Sequence, residues 1–251
     1  MISASFRLYG DLNDFLPRRQ KSIRFVHAFD ENAAVKDTIE AIGVPHVEVD
    51  AIVVDQVSVR LCDRIDDAAR VSVYPADVPP DVRSVVHLLP PPLSECRFVL
   101  DVHLGLLARR LRLLGFDTLY RNDYSDHEIV EISVADDRIA LTRDIGLLKH
   151  AVLRRGRWVR SPRAVDQTTE VIAAFRLQEK ARPFTRCTQC NGTVRDIDRA
   201  TAAGSVPERV LRTHRRFYAC DSCGRVYWGG SHYDRLRRIV DTLTGDGAQR
   251  Q

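Results

Sequence analysis

The chain contains 251 residues, which exceeds the usual size of a single domain, so we expect two or three domains. No run reaches the roughly 18 apolar residues that a membrane-spanning helix needs, and the N-terminus lacks the pattern of a secretory signal. These features predict a cytoplasmic protein without membrane contact. Six cysteines, four of them in two C-x-x-C pairs, favour metal binding over a disulfide framework and fit the same reducing compartment.

The formal net charge of +4 conceals an uneven distribution of charge along the sequence. Residues 1–80 contain 9 Lys and Arg against 13 Asp and Glu, whereas residues 181–240 contain 12 against 5. The C-terminal segment therefore suits a polyanion such as a nucleic acid. The alternative interpretation is that these charges are solvated surface groups, since arginine outnumbers lysine throughout the chain.

In residues 1–78 the predicted order of a strand pair, a helix and further strands resembles that of the ubiquitin-like β-grasp fold. The Gly-Gly tail of sulfur carriers and modifiers is missing, so we expect a protein-interaction or packing module. Strands are predicted at 2–9, 22–29, 47–59 and 71–74, and a helix at 33–42 that ends at Gly43.

Proline marks the next boundary. Residues 79–96 include the run Pro90–Pro92, which can neither continue a helix nor occupy a central strand. We therefore predict an interdomain linker there, and a flexible tail at 244–251.

From Arg97 the pattern changes to strands that alternate with helices, which predicts a parallel sheet with right-handed crossovers over residues 97–180. Ser125 and Glu128 have the spacing of a capping box. Strands are predicted at 97–101, 117–121, 138–144 and 157–161, and helices at 104–114, 125–135 and 165–177.

Three aspartates are expected at one edge of this sheet. Asp101 and Asp144 each end a predicted strand, and Asp126 begins a helix between them. Ligands of an open parallel sheet bind outside the carboxyl ends of its strands, so these positions predict a Mg²⁺ or Mn²⁺ site. Such an ion activates water and neutralises charge on a phosphodiester. Alternatively, each aspartate only caps a helix or turn. Weaker candidate ligands are Asp123, Asp136 and Asp137.

Arginines near these aspartates and near the cysteines are candidates for contacts with a phosphate backbone. Arg109 and Arg112 are three residues apart on one predicted helix, and we expect only one or two of the arginines near the aspartates to touch nucleic acid. The candidates for nucleic-acid contact are Arg109, Arg112, Arg143, Arg215 and Arg216.

The cysteine spacing predicts two knuckles whose thiolates form a tetrahedral Zn²⁺ site in residues 181–243. Gly224 is placed to let the second turn tighten. Four protein ligands leave no position for water, so the zinc is expected to be structural. Nearby aromatic residues either bind RNA bases or form the core of the ribbon, and they are Phe217, Tyr218, Tyr227 and Trp228. The zinc ligands are Cys187, Cys190, Cys220 and Cys223.

The sequence resembles the Mut-seven C-terminal RNase family in the segments FVLDVHLGLLARRLRLLGFDTLY, SDHEI, LTRDIGLL, CTQCNG and CDSCGRVYWGGSH. That family joins a PIN-like nuclease fold to a zinc ribbon, and a ubiquitin-like domain often precedes them in the sequence. The resemblance implies that Asp101, Asp126 and Asp144 are the acidic residues of a PIN-type nuclease, with Glu128 and Glu131 as alternatives for the middle position.

The resulting hypothesis is a Mg²⁺- or Mn²⁺-dependent ribonuclease with RNA as its partner, and with a protein partner for the ubiquitin-like domain. One rival is a non-catalytic RNA-binding or protein-interaction module. A second rival, an Asp-dependent hydrolase of the phosphatase type, needs an acid two residues after its nucleophile. His103 occupies that position after Asp101.

Overall fold

The computed structural model describes residues 1–244, except the side chains of Ser231, His232 and Thr244. The predicted tail therefore lies outside the described residues from position 245 onwards. Contacts divide the chain into two compact units. The first contains residues 1–94 and 130–158, and the second contains residues 95–129 and those from 159 onwards.

The N-terminal part of the first unit is a five-stranded sheet with one α-helix. Its elements are β1 (Ile2–Leu8), β2 (Phe25–Phe29), α1 (Val35–Ile42), β3 (Ala51–Val54), β4 (Val57–Val59) and β5 (Arg70–Tyr74). The strand order is β2-β1-β5-β3-β4, and β1 pairs antiparallel with β2 but parallel with β5. A central parallel pair of first and last strands is the β-grasp arrangement, so the predicted fold is confirmed.

Alternation along the strands places the core on one face of this sheet. Phe6 and Leu8 of β1 are buried together with Val71 and Val73 of β5, and Ile39 of α1 belongs to the same cluster. The residues between them therefore point to the opposite face. The connection between β1 and β2 contains two short 3₁₀ helices at Gly10–Phe15 and Arg18–Gln20.

The segment predicted as a linker packs against the outer face of the sheet. Val82 and Val85 pack against the cluster that contains Val53 of β3 and Tyr74 of β5. The backbone N–H of Leu88 also donates to the Asp50 carbonyl at 2.7 Å. Proline prevents this segment from forming regular structure, but its valines still bury apolar surface.

Residues 97–174 contain the predicted alternation of strands and helices. The elements are β6 (Arg97–Leu100), α2 (Gly105–Leu113), β7 (Asp117–Leu119), α3 (Asp126–Ala135), β8 (Ile139–Thr142), α4 (Ile145–Leu148), β9 (Gly156–Trp158) and α5 (Ala164–Ala174). In the second unit β6 pairs parallel with β7, and in the first unit β8 pairs parallel with β9. The predicted class, a parallel sheet flanked by helices, is confirmed.

Within the first unit, residues 130–158 pack directly on the β-grasp part. The Glu48 carboxylate is buried and accepts hydrogen bonds from the Trp158 backbone N–H at 2.5 Å and from the Arg157 guanidinium at 3.3 Å. The same guanidinium lies 2.6 Å from a carboxylate oxygen of Asp11. The rings of Phe15 and Trp158 are 5.0 Å apart.

The C-terminal part is a small antiparallel sheet with short helices, which has the form of a zinc ribbon. Its elements are β10 (Val194–Ile197), α6 (Arg199–Ala202), α7 (Glu208–Thr213), β11 (Phe217–Cys220), β12 (Val226–Trp228) and α8 (Ser231–Thr244). The strand order is β10-β11-β12. Among the helices of the described residues, none combines the length and apolar character needed to cross a membrane.

Candidate functional site

The four predicted cysteines converge. Their sulfur atoms all lie within 4.8 Å of one another, so that one metal ion could contact all four. The Sγ atoms of Cys187 and Cys223 are 3.7 Å apart, and those of Cys190 and Cys220 are 3.4 Å apart. Tetrahedral Zn²⁺ with bonds of about 2.3 Å to sulfur places its ligands about 3.8 Å apart, so the donor set fits this ion.

Each knuckle is closed in the same way. The N–H of Asn191 donates to the Cys187 carbonyl at 2.9 Å, and the N–H of Gly224 donates to the Cys220 carbonyl at 3.0 Å. Both residues take the left-handed conformation, with φ of 72° and 68°. Glycine adopts it without cost, and asparagine tolerates it better than most residues. Gly224 was predicted in this role from its position, and Asn191 holds the corresponding position in the first knuckle.

Tyr227 belongs to the surroundings of the metal site. Its hydroxyl lies 3.0 Å from the Cys187 sulfur. Burial alone would raise the pKa of the Cys187 thiol, but hydrogen bonds from Tyr227 and from backbone N–H groups lower it to about 6. Burial and the neighbouring thiols raise the pKa of Cys190 to about 12.

Arg112 corrects the sequence-based prediction. We expected it to contact nucleic acid, but it is only 5% exposed. Its Nε donates to the Thr118 carbonyl at 2.9 Å, and its Nη1 donates to the Gln189 carbonyl at 2.9 Å, inside the first knuckle. Burial lowers its pKa, while Cys187 and Cys190 oppose that shift. This cation therefore joins α2, β7 and the cysteine site instead of facing RNA.

Asn191 makes a second connection to β7, which the sequence analysis missed. Its side-chain oxygen accepts from the Thr118 N–H at 3.0 Å, and its amide nitrogen donates to the Asp117 carboxylate at 2.8 Å. Asp117 also pairs with Arg186 at 3.3 Å. The available signal was its position after the second cysteine of C-x-x-C, where a left-handed residue closes the turn.

The three predicted catalytic aspartates occupy the expected ends of secondary structure. Asp101 follows β6, is 5% exposed, and makes no side-chain hydrogen bond to the following helical turn. Asp126 is the first residue of α3 and is exposed. In the first unit, Asp144 follows β8 and is exposed. Their role as a common metal site stays a prediction.

Asp144 also has a structural role. One of its carboxylate oxygens accepts from the Gly146 N–H at 2.7 Å, which caps α4. Its own N–H donates to the Thr142 hydroxyl at 2.8 Å. Thr142 therefore orients the backbone that presents this aspartate, and one side-chain oxygen is already occupied.

Comparison with known protein families identifies the family to which this chain belongs. Residues 96–240 match the family described as the Mut7-C RNAse domain. The chain belongs to this family. Residues 1–81 match the family described as Mut7-C ubiquitin, so the resemblance predicted from the sequence is confirmed. No curated protein and no solved structure matches the chain significantly. Membership in the Mut7-C RNAse domain family indicates a nuclease-type function.

The weaker acidic candidates of the RNAse domain have other partners. Asp123 pairs with Arg121 at 2.8 Å, and Asp137 pairs with Arg155 at 2.8 Å. Asp136 lies 3.0 Å from Nε of Arg138.

Glu128, one alternative for the middle acid, forms the predicted capping box. Its carboxylate accepts from the Ser125 N–H at 2.8 Å, and its own N–H donates to the Ser125 hydroxyl at 3.3 Å. These hydrogen bonds lower the pKa of Glu128. Asp126 is therefore a better candidate than Glu128 for a metal ligand on α3.

Two of the four aromatic residues of the ribbon have the core role that the sequence analysis considered. Phe217 is fully buried, and Trp228 packs against its cluster, so both belong to the core. Four of the five arginines predicted to contact RNA are exposed in the structure: Arg109, Arg143, Arg215 and Arg216.

Proposed function

We propose that the chain is a ribonuclease that needs Mg²⁺ or Mn²⁺ at Asp101, Asp126 and Asp144. The match of residues 96–240 to the RNAse family is the observation that supports this most strongly, since all three aspartates lie within it. Asp101 directly follows β6, at the carboxyl end of a strand, where an open parallel sheet binds its ligands. When bound, the ion would supply Lewis acidity and a more acidic water.

The chain's own residues have separate tasks in this proposal. Asp101 and Asp126 would hold the ion through carboxylate oxygens, which hard divalent cations prefer. Asp144 would contribute the oxygen that does not cap α4. Arg143, which is exposed beside it, would position a phosphate group of the RNA.

The test is cleavage of labelled RNA by protein that keeps its cysteine-bound metal, with Mg²⁺ or Mn²⁺ added to otherwise metal-free buffer. We expect Asp101→Asn and Asp144→Asn each to lower the rate about 100-fold or more, because metal stabilisation of the transition state contributes several kcal/mol. Asp77→Asn removes an exposed carboxylate elsewhere and should leave the rate unchanged. Normal cleavage by both site variants would refute the proposal.

One observation favours the alternative of RNA binding without catalysis. The Asp144 carboxylate already caps α4, which is the purely structural role considered from the sequence. RNA binding with no metal-dependent turnover in the same assay would support this alternative.

We further propose that the cysteine site holds one structural Zn²⁺ and that the protein works in a reducing compartment, where the thiols stay available. Soft thiolates select zinc over magnesium, and four of them complete its tetrahedral shell. Metal analysis of the purified chain should give one zinc ion per molecule.

A further inference from the structure

Three arginines lie on the outer face of the β-grasp sheet, opposite to α1. Because Phe6 of β1 and Val71 of β5 are in the core, Arg7 and Arg70, their neighbours in sequence, point to the other face. The side chain of Arg24, just before β2, reaches the same face. Phe6 pairs with Phe25 and with Val71 in the sheet register, so Arg7 and Arg70 lie on adjacent strands and Arg24 lies at the start of the next one.

Arg24 is held by neutral acceptors. Its guanidinium donates to the carbonyls of Ser5 at 2.8 Å and Val71 at 3.1 Å, and to the Ser72 hydroxyl at 3.2 Å. Burial lowers its pKa, and the positive charges of Arg70 and Arg7 lower it further. The fold therefore orients a cation in a region of like charge, which an anion on this face would stabilise.

The arginine half of the outer face is accessible. Residues of the proline-rich segment cover the half around Val53 and Tyr74. Arg7 and Arg70 are exposed instead, and the Arg7 guanidinium lies 5.0 Å from the centre of the Tyr9 ring. Since residues 1–80 contain more acidic than basic residues, this concentration of arginines on one face does not follow from composition.

We propose that the face formed by Arg7, Arg24 and Arg70 binds the phosphate backbone of single-stranded RNA. The inference rests on the proposed function, because a ribonuclease must hold a polyanion and guanidinium groups recognise phosphate well. The ubiquitin-like domain would then contribute directly to RNA binding through these residues. An acidic protein segment is the competing ligand that the experiment must distinguish.

The experiment measures binding of a labelled single-stranded RNA to the full chain at several salt concentrations by fluorescence anisotropy. It uses the Asp144→Asn background without added Mg²⁺, so that the RNA stays intact. The test variant combines Arg7→Gln with Arg70→Gln, since both side chains are exposed and the hydrogen-bonded Arg24 is retained. The matched control combines Arg18→Gln with Arg19→Gln, which removes the same charge from exposed residues of the same domain.

Each phosphate contact to single-stranded nucleic acid contributes about 0.7 to the salt slope of the association constant, so loss of two contacts should reduce its magnitude by about 1.4. We expect roughly tenfold weaker binding by the test variant and near-normal binding by the control. An unchanged slope, or an equal loss in both variants, would overturn the proposal. Binding of poly-glutamate to this face, with RNA binding unaffected, would overturn it as well.

The two proposals fail in different ways. If cleavage survives the aspartate substitutions, the metal-dependent site is wrong while the salt slopes can still be read. If cleavage is lost as expected but the slope of the arginine variant is normal, only the RNA-binding face is wrong.

Discussion

Arg112 is a buried cation whose hydrogen bonds all go to backbone carbonyls. It reaches Thr118 of β7 and both intervening residues of the first knuckle, Thr188 and Gln189. Hydrogen bonds from charged groups contribute about 1.5–3 kcal/mol each, and a carbonyl left without its donor costs free energy. A planar guanidinium can reach these carbonyls together, whereas an ammonium group is a single point of contact.

We therefore predict that Arg112→Lys lowers the free energy of unfolding by about 2–4 kcal/mol, since two or more of these hydrogen bonds are lost. Denaturant unfolding of the metal-loaded protein measures the change. Arg109→Lys alters an exposed arginine of the same helix and should stay within about 0.5 kcal/mol of the original chain. Equal stability of the two variants would show that the Arg112 contacts contribute little.

The cysteine spacing was sufficient to predict the two knuckles and the turn at Gly224, because a C-x-x-C knuckle is a local structure. The position of Arg112 could not be predicted in this way. It contacts Gln189, 77 residues further along the chain, so its burial depends on tertiary packing. In sequence it looks like its exposed neighbour Arg109.

At the scale of elements, the sequence was most informative where a local hydrogen-bonding pattern sets a boundary. The capping box of Ser125 and Glu128 defines the start of α3 as predicted. The packing of the proline-rich segment was not predicted, because prolines indicate only what the backbone cannot do. Val82 and Val85 pack against the cluster that contains residues of β3 and β5, which no local pattern specifies.

The capping box leads to a prediction about α3. Ser125→Ala removes the hydroxyl that accepts the Glu128 N–H, and loss of such a cap typically costs about 1 kcal/mol. Thermal unfolding should show the loss, and Ser205→Ala, at an exposed serine elsewhere, should not. Because Asp126 is the first residue of this helix, loss of the cap should also lower the rate of RNA cleavage. A normal cleavage rate would argue against Asp126 as a metal ligand.

At the scale of the whole molecule, the four-cysteine cluster is part of the second compact unit, not an appendage to it. Arg112 connects the first knuckle to α2 and β7, and Asn191 connects it to Thr118 and Asp117. In structural zinc sites the free energy of metal binding contributes to folding. Loss of the ion should therefore also destabilise β7.

This coupling predicts a specific pattern of amide hydrogen exchange. After chelation, exchange should accelerate in the ribbon and also at residues 117–119, because the Thr118 N–H loses a correctly placed Asn191 acceptor. Strand β1, in the other unit, is the internal reference and should keep its protection. Acceleration confined to residues 187–224 would show that the metal supports the ribbon alone.

The packing of residues 130–158 on the β-grasp part determines when its native contacts can form during synthesis. Arg157 and Trp158, which donate hydrogen bonds to the carboxylates of Glu48 and Asp11, lie 109 to 146 residues further along the chain and are synthesised later. Until then, the buried Glu48 carboxylate has no donor from this segment. The N-terminal region therefore waits for more than half of the polypeptide before its native contacts are complete. In a truncated chain that ends before Trp158, the N-terminal region should be more susceptible to proteolysis.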